Sequence, residues 1–227
     1  MVSENLMCSV CLGKDSDNGW ALTFNGKSVT LSELTGLIES EKERVFMLDQ
    51  SRFTVMFLVD REVPMSHLDK VRQELRRSGS LHIAEGGYPH GDLALSPLLY
   101  HTVALPRLLP PLNAKVLDKK EMENLGGKLH TIDLSARNTT PRDVDDGLRK
   151  FIQDNSDGKY VISLEYDGEI PYGQYVESVD MVWKTIHSFR NRLAMERYNV
   201  PYDKLGDNIQ REIRKAYPMA LSELMKN

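Results

Sequence analysis

The residue types that carry chemistry are few in this chain and widely spaced. Cys8 and Cys11 form a C-x-x-C near the N-terminus, a spacing used by redox pairs and by half of a structural zinc site. A redox pair normally follows a strand and opens a helix, which lowers the thiolate pKa. Here the pair runs into Gly13-Lys14-Asp15-Ser16-Asp17-Asn18-Gly19, which reads as loop. Zinc would need two more ligands at similar spacing, and no second C-x-x-C or H-x-x-x-H follows. The pair is therefore expected to lie in a loop, disulfide-bonded if the compartment is oxidising. The histidines are His67, His82, His90, His101, His130 and His187, none beside a nucleophile motif. His90-Gly91-Asp92 and His101 fall in a proline-rich stretch where they line a groove at most. No Gly-x-Ser-x-Gly, P-loop or Gly-x-Gly-x-x-Gly occurs. The expectation is no catalytic, cofactor-binding or metal-ligating residue, and no cofactor.

The elements that would hold any site are written twice. Val55 to Met65 (VMFLVDREVPM) returns as Ile162 to Tyr172 (ISLEYDGEIPY), so that Asp60, Glu62, Val63 and Pro64 fall on Asp167, Glu169, Ile170 and Pro171, 107 positions later. Upstream the offset is 110: Leu22 and Phe24 fall on Ile132 and Leu134, Thr30 on Thr140, Glu33 on Asp143, Leu34 on Val144 and Ile38 on Leu148. A near-constant offset across several elements marks a duplicated unit. The repeated Asp-x-Glu-hydrophobic-Pro ends a strand, fixes φ at the proline and aims the next helix.

In the first copy Trp20 to Phe24 alternates as a strand, and Asn25-Gly26 is a hairpin turn that accepts positive φ. Thr30-Leu31-Ser32-Glu33 is a capping box opening a helix with Leu34, Leu37, Ile38 and Val45 inward. Phe53 to Val59 reads as a buried strand. Ser66-His67-Leu68-Asp69 reads as a second capping box for a helix facing inward through Leu68, Val71 and Leu75. Ser80 to Ala84 is the last strand, ended by Gly86-Gly87. In the second copy Lys128 to Leu134 is the strand. Thr140-Pro141-Arg142-Asp143 starts a helix with Pro at its first position, facing inward through Val144, Leu148, Phe151 and Ile152. Tyr160 to Tyr166 is the buried strand. Gln174 to Tyr198 is a long helix with Val176, Val179, Val182, Trp183, Ile186, Phe189 and Leu193 at helical spacing, and Lys204 to Ala216 is a final amphipathic helix stopped by Pro218.

These readings give an α+β fold: two tandem two-layer α/β units, each with helices on one face of a small mixed sheet. The boundaries are an N-terminal tail at 1–19, a first module at 20–88, a linker at 89–126 and a second module with a helical extension at 127–227. The 227 residues, 41% of them hydrophobic, suffice for two small cores. A net charge of −4 argues against sequence-independent nucleic-acid binding, which releases counterions from a basic surface. No stretch supplies the roughly 20 uninterrupted apolar residues of a membrane helix. The nearest, Leu93 to Leu112, is broken by Pro97, Pro106, Pro110 and Pro111 and reads as an extended linker. No signal peptide is visible at the start.

Tyr160-Val161-Ile162-Ser163-Leu164-Glu165-Tyr166-Asp167 followed by Ile170-Pro171-Tyr172-Gly173-Gln174-Tyr175-Val176 resembles the ExbD/TolR family of biopolymer-transport proteins, in whose periplasmic domain a strand ends in Asp and hydrophobic-Pro-Tyr-Gly leads into a helix. Asn191-Arg192-Leu193-Ala194 through Tyr198, Pro201-Tyr202-Asp203-Lys204-Leu205, and Ala216-Tyr217-Pro218-Met219-Ala220-Leu221-Ser222-Glu223 resemble the C-terminal extension of such proteins in Bacteroidetes-type bacteria. Leu105-Pro106 through Ala136-Arg137-Asn138 resembles their approach to the first strand. The resemblance is good over 105–225, weaker over 20–85, where Pro64-Met65-Ser66 stands for Pro-Tyr-Gly, and absent over the first 19 residues.

What the resemblance implies is an ExbD/TolR-like component of a proton-motive-force-driven transport or energy-transduction complex, a TonB or Tol type system. It would be periplasmic, attached to the inner membrane through an N-terminal helix carrying a proton-conducting aspartate, and would act by protein binding without bond chemistry. This sequence contains neither that helix nor that aspartate: the anchor has been removed, or the chain is a relative that lacks it. The implied partners are ExbB-like and TonB-like proteins, with peptidoglycan as a further candidate ligand. The family's dimers imply an intramolecular pseudo-dimer of the two modules, with homodimerisation open, and an exposed sheet edge offers a place for a partner strand. The competing expectation is a soluble cell-envelope binding module, for peptidoglycan or a surface protein, with no link to proton force.

Overall fold

The computed structural model describes residues 6–15, 19–79, 82–88, 106–108, 120, 124, 126–135, 141–156 and 158–226. They fall into two compact units. The first comprises residues up to 114 together with Gly168–Val176, and the second Lys115–Asp167 and Glu177–Asn227.

The first unit is built on a six-stranded mixed sheet in the order β3-β2-β1-β4-β5-β6. Its strands are β1 (Met7–Lys14), β2 (Trp20–Phe24), β3 (Lys27–Ser28), β4 (Thr54–Asp60), β5 (His82–Tyr88) and β6 (Pro106–Leu108). The β2–β3 hairpin closes through Asn25 (φ 48°) and Gly26 (φ 77°), two consecutive left-handed residues whose twist suits a two-residue turn. Asn25 also ties the hairpin to β1, its Oδ1 accepting the Ser9 amide at 2.9 Å. Helix α1 (Leu31–Glu43) buries Leu34 and Ile38, and helix α2 (Met65–Arg77) buries Met65, Leu68, Val71 and Leu75. The helices meet where the Thr35 hydroxyl donates to Glu74 Oε2 at 3.0 Å. Beneath them lie Val10, Val55, Phe57, Val59 and Ile83, all essentially inaccessible.

The second unit has a three-stranded, wholly parallel sheet ordered β7-β8-β9, formed by β7 (Lys128–Asp133), β8 (Tyr160–Tyr166) and β9 (Leu221–Met225). Its helices are α3 (Pro141–Asp154), α4 (Tyr172–Tyr198) and α5 (Asp207–Ala216), with a 3-10 turn at Tyr202–Lys204 before α5. The first turn of α4, to Val176, belongs to the first unit and the remainder to the second. Central β8 is buried on both faces (Ile162, Ser163, Leu164), as a parallel strand covered on both sides must be. The α4–α5 corner is a satellite cluster of Ala194, Tyr202 and Ile213, with Leu193, Leu205 and Ile209 packed against it.

Both sheets contain three parallel neighbours with the homologous strand in the middle: β1-β4-β5 and β7-β8-β9. Several expectations are corrected. The N-terminal tail contains β1, an interior strand that pairs antiparallel with β2 and parallel with β4, so the first unit starts well before residue 20. The offset of 110 lays β7 over β2, yet β7 occupies the place of β1, because it is the parallel neighbour of the central strand. Alternation reports which face a side chain uses and is silent about which strand lies alongside. The second sheet is parallel, not mixed. Gly86 and Gly87 do not end β5; they pair with Leu58 and Val59. The stretch read as linker contributes β6, antiparallel to β5. Beyond Pro218 the chain adds β9. Trp183, one of the apolar residues at helical spacing, is 39% exposed. Ser80, Leu81, Thr140 and most of 89–126 lie outside the described residues.

Gly158 sits at φ +73° in the turn between α3 and β8, and a Cβ there would lie 2.2 Å from the Lys215 carbonyl oxygen. Both the conformation and the space exclude a side chain. Gly158→Ala is expected to destabilise the chain by about 3 kcal/mol or more, read as a lowered urea midpoint with unchanged slope.

Candidate protein-binding site

The repeated turn is the first place where the structure builds something that neither copy has alone. A helix leaves its first amides without intrahelical acceptors. In α2 the N-cap is Pro64, which has no side-chain acceptor to offer. The Met65 amide instead donates to the Ile170 carbonyl at 3.0 Å and the Ser66 amide to the Gly168 carbonyl at 2.9 Å. The relation is reciprocal. At the start of α4 the Tyr172 amide donates to the Val63 carbonyl and the Gly173 amide to the Arg61 carbonyl, both at 2.8 Å. The next two amides of each helix return to their own proline: His67 and Leu68 to Pro64, Gln174 and Tyr175 to Pro171. Pro64 and Pro171 face each other as an antiparallel bridge. Exchanging each residue for its counterpart 107 positions away leaves the bond set unchanged, which is the signature of a local two-fold axis.

Small residues make the approach possible. A Cβ on Gly168 would stand 2.9 Å from the Ser66 Cβ, and one on Gly173 3.1 Å from the Arg61 carbonyl oxygen. The expected capping box at Ser66 does not form, because Ser66 already lies in the second helical position. By contrast Thr30 and Glu33 do engage, the Glu33 carboxylate accepting the Thr30 amide and hydroxyl at 2.7 Å each. The acidic residue opening the repeated motif is a folding device: Asp60 is buried, its Oδ1 accepts the Glu62 amide at 2.9 Å and its carbonyl the Val63 amide at 3.0 Å. Behind the turn the buried Arg72 guanidinium lies 5.4 Å from the centre of the Tyr175 ring and 3.4 Å from Asp69.

The second place is the carboxyl end of the parallel sheet. Lys226, one residue past β9, sets its Nζ 2.7 Å from Asp133 Oδ2 and 3.5 Å from Glu165 Oε2. Asp133 Oδ1 accepts the Ser135 amide at 3.0 Å, and the Ser135 hydroxyl accepts the Asp167 amide at 2.7 Å. The Lys226 hydrogen bond, with the Ser135 amide, holds the Asp133 carboxyl below its usual range, and the same bond raises the Lys226 ammonium. The cluster has no signature in the sequence: Asp133 and Glu165 stand on strands far apart in the chain, and Lys226 follows a strand that no periodicity announces.

The C-x-x-C is corrected. Cys8 and Cys11 stand in β1, not a loop, and both thiols are free. Residues three apart on a strand point to opposite faces, and Cys8 is the buried one. Burial pushes the Cys8 thiol up to about 12 and raises that of Cys11. Burial thus favours the neutral thiol at both positions. Among the described residues, three histidines have placed side chains, and each has its own aromatic neighbour. His67 faces Trp20, with ring centres 6.2 Å apart. His130 stacks on Phe151 at 4.8 Å, burial lowering its pKa. His187 stacks on Trp183 at 4.8 Å and points Nε2 at Asp203 Oδ2, 3.3 Å away. His90 and His101 lie outside the described residues, as does the His82 side chain. No group of three or more His, Cys, Asp or Glu among the described residues is arranged to hold a metal ion. No helix of the described residues is long and apolar enough to cross a membrane.

Comparison with known proteins returns no match: no family model, no curated protein and no solved structure is similar to this chain.

Two expectations follow. Gly168→Ala forces apart the turn carbonyl and Ser66, and costs about 1–3 kcal/mol in equilibrium unfolding; an unchanged midpoint contradicts the tight approach. The depressed carboxyls of Glu33 and Asp133 contribute stability above the ordinary carboxylate range, and that contribution is lost as pH falls through their folded-state values. Asp133→Asn is therefore expected to lower the melting temperature at pH 7, and the gap between the two proteins is expected to narrow progressively as pH falls below the ordinary aspartate range.

Proposed function

We propose that this chain is an ExbD/TolR-like component of a proton-motive-force-driven transport or energy-transduction complex and that it works by binding proteins. In this reading the two modules are tandem periplasmic-type domains forming an intramolecular pseudo-dimer, and the partners are ExbB-like and TonB-like proteins. The chain resides in the periplasm, on the inner membrane if an anchor precedes it, and no bond is made or broken in it. The observation that carries the reading is the reciprocal ladder of Arg61–Ser66 with Gly168–Gly173. There, within the first unit, the residues that resemble the family's hydrophobic-Pro-Tyr-Gly motif and their counterparts 107 positions earlier cap one another's helices with two-fold symmetry.

The discriminating experiment sets two ligands side by side. A peptide from the periplasmic stretch of a TonB-like protein is titrated into the labelled chain, and purified peptidoglycan is sedimented with it. Saturable peptide binding in the micromolar range, with no chain in the peptidoglycan pellet, is the expected result. Co-sedimentation without peptide binding overturns the reading in favour of a cell-envelope binding module.

A further inference from the structure

The C-terminal strand is held differently from the rest of its sheet. β8 lies in the core, with Ile162, Leu164 and Tyr166 buried, whereas no residue of β9 is fully buried and Leu224 and Met225 are exposed. What fastens β9 is main chain and charge. It pairs in parallel register from Ile162↔Leu221 to Tyr166↔Met225, bounded by the Ile162 amide on the Ala220 carbonyl at 2.8 Å and the Lys226 amide on the Tyr166 carbonyl at 2.7 Å. Lys226 then closes on Asp133 and Glu165. Segments with little apolar burial open at the low end of a protein's stability range.

The anchors upstream set a limit to that opening. Arg190 donates from Nε to the Tyr217 carbonyl at 2.9 Å, and the Tyr160 hydroxyl donates to the Pro218 carbonyl at 3.2 Å. Arg190 and Tyr217 are both buried. The strand can therefore leave at Met219–Ala220 while α5 stays in place. Its departure would uncover a strand edge on β8 with two carboxylates at one end, matched to a single cation.

We infer that the edge of β8 is a docking slot for an extended strand of a partner protein that carries a lysine or arginine directly after its fifth paired residue, and that the chain's own β9 occupies this slot as a displaceable strand. Main-chain pairing supplies the attachment and Asp133 with Glu165 supplies the selection, the division of labour in β-strand addition. The inference goes beyond the proposed function: it holds whether or not the chain serves a proton-driven complex, and its test involves neither TonB-like peptide nor peptidoglycan.

The test uses the full chain and, as probe, a fluorescent peptide of its own tail sequence, Ala220 to Asn227. Hydrogen exchange is read first: amides of 222–226 are expected to exchange well ahead of those of β8. The peptide is then titrated by anisotropy into the wild-type chain and into Lys226→Glu, whose tail is repelled by the two carboxylates. Binding to the variant is expected to be about fivefold tighter or better, and a peptide with its lysine changed to alanine is expected to bind the variant several-fold less tightly. Exchange of β9 only together with β8, or peptide affinity that is absent or equal for the two chains, overturns the slot. Equal binding of the lysine and alanine peptides overturns the assignment of Asp133 and Glu165 as its selecting groups.

Discussion

The arrangement of this protein depends on where the first amides of two helices find their acceptors. Pro64 and Pro171 sit at the N-caps, where most helices place a serine, threonine or aspartate, and a proline brings no side-chain oxygen. An amide buried without an acceptor costs about 1–3 kcal/mol. The deficit at each helix is met by main-chain carbonyls of the other turn, Ile170 and Gly168 for α2, Val63 and Arg61 for α4. Each turn is thus incomplete alone and complete in the pair. Glycine at 168 and 173 follows from the same constraint, since the acceptors are backbone atoms that must come close.

Elsewhere polar groups are used economically, each closing a local account of donors and acceptors. Asp60 folds its own turn. Asn155 donates from Nδ2 to the Phe151 carbonyl at 2.7 Å and finishes α3. Thr185 and Asp145, 2.5 Å apart, join α4 to α3. Arg190, its pKa lowered by burial, fixes the chain at Tyr217 before the last strand.

Much of this was legible in the sequence. Asn25-Gly26 dictates a two-residue hairpin, Thr30 to Glu33 announces α1, and the apolar runs at 53–59 and 160–166 supply the central strands, the first of them observed at Thr54–Asp60. The strand-ending Asp and the turn proline were legible as paired features because their spacing repeats. What stayed hidden was partnership. β1 reads as a tail in the sequence because a C-x-x-C beside a polar loop masks its alternation of buried Cys8, Val10 and Leu12. Ser66 matched a capping box in type and spacing but lost the role to Pro64, since main-chain acceptors from a distant segment outrank a local signal. The Lys226–Asp133–Glu165 cluster was invisible for the same reason: strand order, unlike helix periodicity, is not written in any single window.

The central claim is that the two turns cap one another as one structure, and amide hydrogen exchange resolved at Met65, Ser66, Tyr172 and Gly173 tests it most directly. The account requires all four amides to be protected and to open with a common free energy across a denaturant series. Protection of Met65 and Ser66 with Tyr172 and Gly173 exchanging at the rates of free peptides would contradict it.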